Sequence, residues 1–149
     1  GRLQLILTKR SSALRHHPGQ VAFPGGKVDL GDPDEETTAL REAEEEIGLP
    51  RQRVEVLGRL PGHATVTTFK MTPVIGWIHG RFDPVPEVGE VAEVFTLPLT
   101  HILEPDNYMV THRHWRGQER RYFNVPYGPY YIWGATARIL RGLADRMAG

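Results

Sequence analysis

The sequence contains no cysteine among its 149 residues. This absence excludes disulfide bonds, thiolate nucleophiles and cysteine-based zinc sites, and it fits a reducing compartment, so we expect a cytoplasmic protein. No apolar run approaches the ~18 residues that a membrane span requires. The formal net charge is zero, because 18 basic residues balance 18 acidic residues. We therefore expect neither a membrane nor a nucleic acid as a partner.

The sequence does have the composition of a globular protein, with 40% hydrophobic and 24% charged residues. Its length fits one core, so we expect a single domain over residues 1–149. Because the chain begins directly before a strand-like run, we also expect that an N-terminal segment is missing. Helical patterns at 33–47 and 135–147 accompany several strand-like segments, which favours an α/β (α+β) fold: an α/β/α sandwich with a mixed β-sheet between helices. The strand-like segments are 3–8, 54–60, 66–78, 91–97 and a hairpin of 108–115 with 119–125.

The first predicted helix has recognisable boundary residues. Asp32 and Pro33 have the residue types that favour an N-cap and a first helical position, and Gly48 is typical of the residue that ends a helix. Its apolar residues recur with the helical period and predict a core-facing stripe of Ala39, Leu40, Ala43 and Ile47. The same reasoning predicts for the last helix a stripe of Ile139, Leu140, Leu143 and Met147.

Nine of the 18 acidic residues lie between residues 29 and 46. At 100° per residue, Glu42, Glu45 and Glu46 share one helix face, whereas Glu44 lies towards the solvent. Carboxylates with this spacing repel one another by ~0.2–0.5 kcal/mol per pair, and we expect Arg41 to neutralise one of them, most simply Glu45. A divalent cation would remove the repulsion, because Mg²⁺ and Mn²⁺ prefer carboxylate oxygen. The helix alone leaves a metal site and a solvated acidic face as alternatives.

The loop that precedes this helix, Phe23-Pro24-Gly25-Gly26, strengthens the metal interpretation. Loop and helix together resemble the signature of the Nudix hydrolases: glycine, five residues, Glu, seven residues, then Arg-Glu-aliphatic-any-Glu-Glu-any-Gly-aliphatic. The second half of the signature matches throughout 41–49. The first half departs, because counting back from Arg41 places Pro33 at the Glu position, whereas counting forward from Gly26 places Asp32 there. One extra residue therefore lies in the loop, and the outer Glu is replaced or displaced.

A second pattern, upstream of the helix, resembles the coenzyme A pyrophosphatase subgroup of that family. The subgroup pattern is Leu-Leu-Thr-any-Arg-Ser/Ala, three residues, Arg, three residues, Gly, three residues, Phe-Pro-Gly-Gly. The chain matches it over 6–26 with Ile6 as the one departure, and residues 131–137 also resemble the subgroup. The two resemblances together extend over most of the chain.

The resemblance implies that a metal-activated water hydrolyses the diphosphate bond of coenzyme A and its acyl derivatives. The products would be 4′-phosphopantetheine and adenosine 3′,5′-bisphosphate, and the cofactor would be Mg²⁺ or Mn²⁺. The implied metal ligands are Glu42, Glu45, Glu46 and the carbonyl of Gly25. The implied catalytic residues are Arg41, Glu45 and Glu90. Phosphate recognition requires basic side chains, and the candidates for substrate binding are Lys9, Arg10, Arg15 and Lys27.

Several of these interpretations have alternatives. Glu87 and Glu93 repeat the spacing of Glu90, and a solvated loop explains them equally well. His112 and His114 face one side of a strand, which permits a two-histidine metal site. The late aromatic residues should mostly be core, with one available to stack on adenine; they are Tyr122, Phe123, Tyr127, Tyr130, Tyr131 and Trp133.

The function also has alternatives. The first is a Nudix pyrophosphatase that acts on ADP-ribose or a dinucleotide. The second is a catalytically silent module that only binds a nucleotide. The presence of all three carboxylates on one helix face favours an enzyme over a silent module.

Overall fold

The structure is a computed structural model that describes residues 3–64 and 70–148. In those residues the chain forms, in order, β1 (Gln4–Arg10), β2 (Val21–Ala22), α1 (Glu35–Ile47), β3 (Val54–Arg59), β4 (His63–Ala64), β5 (Lys70–Met71), β6 (Val74–Ile78), β7 (Val91–Pro98), α2 (Leu99–Leu103), β8 (Met109–Trp115), β9 (Gln118–Asn124) and α3 (Gly134–Ala148). Short 3₁₀ turns follow α1 and α2, at Arg51–Arg53 and Pro105–Asn107.

Strand β1 organises the largest sheet, because it pairs with β2 on one side and with β7 on the other. These pairings are antiparallel, and so are those of β3 with β6, β4 with β5 and β8 with β9. Successive side chains of a strand point to opposite faces of its sheet. Leu7 of β1 and its partner Phe95 of β7 therefore face one side, whereas Ile6 and Val94 face the other.

The first face carries the larger core, which α2 and α3 cover. Leu97, Ile102 and Val125 have no exposed surface there. Burial of each such side chain contributes about 1.5–3 kcal/mol to folding. Tyr108 also enters this core, and its hydroxyl donates a hydrogen bond of 2.7 Å to the Ile102 carbonyl. The core therefore holds the helical pair firmly against the sheet.

Helix α1 covers the opposite face. Ala43 and Ile47 of α1 are buried, and they pack with Ile6 and Val94 of the sheet. The sheet thus lies between α1 and the α2–α3 pair, which confirms the predicted α/β/α sandwich. The strand pairings differ from the expected mixed sheet, because all those among the described residues are antiparallel. Among the described residues, no helix combines the length and the apolar character needed to cross a membrane.

The start of α1 differs from the prediction. Its N-cap is Asp34 rather than Asp32, and Asp34 Oδ1 accepts a hydrogen bond of 2.7 Å from the backbone N–H of Thr37. Asp32 is unavailable as a cap, because its carboxylate binds Arg41. Gly48 ends the helix as predicted, with a φ of 70° that favours glycine.

The other elements differ from the prediction in smaller ways. The stripe predicted for α3 is wrong at Met147, which is exposed because the last turn of α3 extends past the core. The five-residue helix α2 has no counterpart in the prediction, since so short a segment shows no helical period. The hairpin is confirmed, with Arg116 and Gly117 at the positive φ values of a two-residue turn. Residues 66–69 of the predicted 66–78 segment lie outside the described residues.

Candidate active site

Glu46 is a buried residue near the C-terminal end of α1, on the side that faces the glycine loop. Only 7% of its surface is exposed. Its Oε2 accepts a hydrogen bond of 2.8 Å from the backbone N–H of Gly25. Burial raises the pKa of Glu46 to about 7, against an opposing effect of the Gly25 N–H. The negative charges of Glu42 and Glu90 raise this pKa further, whereas the positive charge of Arg10 lowers it. Glu46 can therefore lose its proton near neutral pH, and its carboxylate is then available to a metal cation.

Glu42 lies one turn earlier, against the second glycine of the loop. A Cβ atom added to Gly26 would lie 2.5 Å from Glu42 Cδ, so any larger residue here would displace the carboxylate from its present position. The side chain of Glu42 is 16% exposed and accepts a contact of 3.0 Å from Arg41 Nη1. Burial raises the pKa of Glu42, Arg41 lowers it, and the charges of Glu45 and Glu90 raise it.

Arg41 binds the loop carboxylate Asp32 more closely than it binds Glu45. Its Nη2 lies 2.9 Å from Asp32 Oδ2 and its Nε lies 3.2 Å from Asp32 Oδ1, which is a two-pronged contact. Nη2 also donates to the Lys27 carbonyl at 3.1 Å. The distance to Glu45 is 3.5 Å, and Glu45 is 58% exposed. Arg41 therefore pairs with Glu45 as expected, but its contacts with Asp32 and with Glu42 are shorter, and both of those carboxylates are more buried.

Asp32 is the loop residue that binds Arg41, a choice that counting along the sequence left open between Asp32 and Pro33. Its side chain is 6% exposed and also accepts hydrogen bonds of 2.9 Å from the Asp29 N–H and from Thr38 Oγ1. The guanidinium of Arg41 is the main cause that holds the pKa of Asp32 well below its usual range. Pro33 has no carboxylate to offer, so the count forward from the glycine pair identifies the partner of Arg41. Thr38 was not predicted, although it lies one helical turn before Arg41 on the same face.

The loop after β6 brings Glu90 to this cluster. It is fixed to the last turn of α1, because the N–H of Val85 donates to the Ile47 carbonyl at 2.9 Å and the N–H of Glu87 donates to the Glu46 carbonyl at 2.8 Å. Glu90 follows directly, and its charge raises the pKa of both Glu42 and Glu46. Of the three loop carboxylates named from the sequence, Glu90 is thus the one beside the cluster. Glu93 lies on the other face of β7, where it accepts a hydrogen bond from the Tyr130 hydroxyl.

The donor set fits a hard divalent cation. Glu42 and Glu46 concentrate carboxylate oxygen beside the glycine pair, which is the ligand type that Mg²⁺ and Mn²⁺ prefer. Within the described residues, no three acidic or histidine side chains already form a joint metal site. Glu45 lies at the solvent side of this cluster, 58% exposed and 3.5 Å from Arg41.

The four basic residues proposed for substrate binding do not lie together at one site. Arg10 lies on the α1 side near Glu46, and its guanidinium donates to the His16 carbonyl at 3.1 and 3.3 Å. Arg15 and Lys27 are exposed. Lys9 is the neighbour of Arg10 in β1, and its side chain lines a cavity on the opposite face of the sheet.

The remaining candidates have structural partners. His112 Nδ1 lies 2.6 Å from Glu119 Oε1 across the β8–β9 hairpin, so this histidine pairs with a carboxylate. Phe123 and Tyr127 pack against the larger core, as does Tyr130, which stacks on Phe95. Tyr131 is 48% exposed, and its ring is a surface feature rather than a core residue.

Comparison with known proteins agrees with this geometry. A model of the NUDIX domain family matches residues 1–116. The chain is 45% identical over 140 residues to the Uncharacterized Nudix hydrolase NudL of Citrobacter koseri, an alignment that covers 94% of this chain and 73% of that protein.

Two solved structures are similar in fold. One is the Ap4A hydrolase of C. elegans in a binary complex, with a TM-score of 0.57 at 18% identity over 67% of this chain and 72% of that chain. The other is the NUDIX domain of Shewanella oneidensis NrtR complexed with ADP ribose, with a TM-score of 0.52 at 22% identity over 68% of this chain and 66% of that chain. At these identities the likeness concerns the fold alone.

Proposed function

Because this chain belongs to the NUDIX domain family and is a Nudix hydrolase for nucleotide-like substrates, we propose that its substrate is coenzyme A, together with acyl derivatives. The products are 4′-phosphopantetheine and adenosine 3′,5′-bisphosphate. One observation supports the hydrolytic step above all: Glu42, Glu46 and Glu90 concentrate negative charge beside the glycine pair that precedes α1. The sequence pattern of residues 6–26 supports coenzyme A as the substrate.

The same cluster supports Mg²⁺ or Mn²⁺ as the cofactor. When bound, the ion neutralises the diphosphate and lowers the pKa of the attacking water. In this proposal the ligands are Glu42, Glu45, Glu46 and the carbonyl of Gly25. The N–H of that glycine already orients Glu46, which supports a common site for the loop and the helix.

The chain's own residues then move the proton and hold the phosphates. Glu90 accepts a proton from the water, whose oxygen forms a bond to one phosphorus of the diphosphate. The bond from that phosphorus to the bridging oxygen breaks, and the bridging oxygen leaves with the second phosphate and takes a proton from solvent. Arg41 is a positioning residue in this scheme, because it clamps Glu42 against the Asp32 loop.

Arg10 and Arg15 belong to the upstream pattern and bind phosphate oxygens in this proposal, with Lys9 and Lys27 as further cations. Arg10 would exchange the His16 carbonyl for phosphate, which is the better acceptor because it is charged. The absence of cysteine supports a cytoplasmic setting for the reaction.

Product analysis by mass spectrometry tests the proposal. Coenzyme A, dephospho-coenzyme A, ADP-ribose and Ap4A are incubated with Mg²⁺ or Mn²⁺, each with the wild-type protein and with Glu46→Gln. The matched control is Glu44→Gln, a carboxylate of the same helix that is 45% exposed and pairs with Arg51 instead. We expect cleavage of coenzyme A that is lost in Glu46→Gln and retained in Glu44→Gln.

Other outcomes decide between the alternatives. Cleavage of ADP-ribose or Ap4A in preference to coenzyme A would instead indicate a pyrophosphatase for ADP-ribose or a dinucleotide; the two structural neighbours are an Ap4A hydrolase and a domain complexed with ADP ribose. Retained cleavage in Glu46→Gln would contradict the assigned site. Binding of these compounds without cleavage of any would indicate a silent nucleotide-binding module.

A further inference from the structure

A second concave site lies on the face of the sheet opposite α1. It is a cavity of about 410 Å³, lined by Lys9 of β1, by the turn at Pro18 to Gln20, and by Tyr131 and Trp133. This volume falls within the ~300–1,000 Å³ range of small-molecule sites. None of the carboxylates of the α1 cluster lines this cavity, so the cavity is separate from the candidate metal site.

The cavity has an aromatic wall. The rings of Tyr131 and Trp133 lie 6.4 Å apart with their planes within 27° of each other. Trp133 is held from behind by Tyr122, edge to face at 5.3 Å. Tyr131 leaves 48% of its surface in solvent, so a flat aromatic ligand can cover apolar area that the fold itself leaves uncovered.

A positive charge lies beside this wall. Lys9 is the one charged side chain among the described residues that line the cavity. Arg113 of β8 lies outside that lining, with its Cζ 6.0 Å from the centroid of Tyr122. The cavity therefore offers an anionic ligand one lysine beside an aromatic wall.

The cavity and the carboxylate cluster flank the same end of β1. Lys9 faces the cavity, and the next residue, Arg10, faces Glu46 on the other side of the sheet. The backbone of Arg10 also bonds to the cavity turn, through the Gly19 N–H at 3.1 Å and the Gln20 carbonyl at 2.8 Å. The cavity turn and the carboxylate cluster are thus linked through Arg10, whose backbone bonds to the turn and whose side chain faces Glu46.

We propose that this cavity binds the phosphorylated nucleoside half of the substrate, with the base on the Tyr131–Trp133 wall and the phosphate of the ribose at Lys9. Stacking on an aromatic side chain accepts any base, and the lysine ammonium attracts a phosphate dianion. The identity of the nucleotide rests on the proposed function, whereas the cavity chemistry does not depend on hydrolysis.

Calorimetry without metal tests the proposal apart from catalysis. The probes are adenosine 3′,5′-bisphosphate, 5′-AMP and 4′-phosphopantetheine in EDTA. We expect Tyr131→Leu to weaken binding of both nucleotides by about tenfold, the low end of what one stacked base contributes. Lys9→Gln should weaken the bisphosphate more than 5′-AMP, and Tyr131→Phe should retain binding because it keeps the ring.

Matched controls are Trp77→Leu and Lys70→Gln, which remove an exposed ring and an exposed lysine outside the cavity lining. Thermal unfolding confirms that each variant folds. The proposal is overturned if the Tyr131 and Lys9 variants bind nucleotides as the wild type does. It is equally overturned if they lose 4′-phosphopantetheine instead, which would place the other half of the substrate in the cavity.

Steady-state kinetics then separates this proposal from the proposed function. Hydrolysis of coenzyme A with an unchanged KM in both variants would refute the cavity and leave the reaction standing. Absence of any hydrolysis together with nucleotide binding that depends on Tyr131 would refute the reaction and leave the cavity standing.

Discussion

Replacing Glu46 by glutamine should stabilise the metal-free protein and abolish its activity. Glutamine has the same shape, and its carbonyl can still accept the hydrogen bond from the Gly25 N–H. The variant therefore removes a charge without opening a cavity. Natural active sites often keep such a destabilising group because function requires it.

The size of the effect follows from the pKa. Burial raises the pKa of Glu46 from an ordinary 4.5 to about 7. Protonation of this group therefore stabilises the folded state fully below pH 4.5, and that stability is lost as the pH rises through 7. Since one pKa unit corresponds to ~1.36 kcal/mol, the loss is at most about 3 kcal/mol at pH 8, and solvent near the cleft reduces it. The neutral variant does not incur this loss.

Chemical and thermal unfolding in EDTA measure the difference. At pH 8 the free energy of unfolding of Glu46→Gln should exceed that of the wild type by up to about 3 kcal/mol, and Tm should rise by ~2–4 °C for each kcal/mol. At pH 5 the difference should fall below about 1 kcal/mol, because the wild-type carboxylate is then protonated in the folded state and the pH lies only slightly above its ordinary pKa of 4.5. Added Mn²⁺ should stabilise the wild type alone, and turnover should fall by about a hundredfold or more.

The control is Glu44→Gln, whose exposed carboxylate should leave both the pH dependence and the turnover unchanged. A difference between Glu46→Gln and the wild type that is zero or negative at pH 8 would refute the argument from burial. A positive difference that stays constant from pH 5 to 8 would show that the carboxylate charge is not its cause.

Three further predictions concern the same site. Asp32→Asn should lower turnover by ~10–100-fold with a smaller change in KM, as measured by steady-state kinetics. The reason is that the substitution weakens the contact that holds Arg41, a residue that does not touch the reacting groups. Gly26→Ala should weaken Mn²⁺ binding in calorimetry with little change in Tm, because the added Cβ, 2.5 Å from Glu42 Cδ, displaces a flexible carboxylate rather than the core. Metal affinity should fall as the pH drops from 8 to 6, because Glu46, with a pKa raised to about 7, must release its proton to bind a cation.

Each of these predictions has a control or a refuting outcome. Asp29→Asn removes the outer contact of Arg41, at 3.4 Å from a 67% exposed carboxylate, and should leave turnover close to wild type. A Gly26→Ala protein that binds Mn²⁺ like the wild type would mean that Glu42 is not a ligand. Metal affinity that is flat between pH 5 and 8 would contradict the crowded, partly protonated cluster.

Sequence alone determined the features that depend on neighbours along the chain. The spacing of Glu42 and Glu46 beside the apolar stripe of α1 follows from the helical period, and both carboxylates do lie at the inner edge of that helix. The turn at Arg116 and Gly117 and the end of α1 at Gly48 follow from local backbone preferences. These features need no knowledge of distant contacts, and for that reason they were predictable.

Only the tertiary structure decided how separate segments meet. The count along the loop could not choose between Asp32 and Pro33, because the choice depends on where the loop lies against Arg41. Four basic residues near the N-terminus suggested one phosphate site. Successive side chains of β1 alternate between the two faces of the sheet, however, and Lys9 and Arg10 therefore lie on opposite faces. The burial of Glu46, and with it the pKa near 7, comes from the loop and sheet packed over α1, which no pattern within the helix contains.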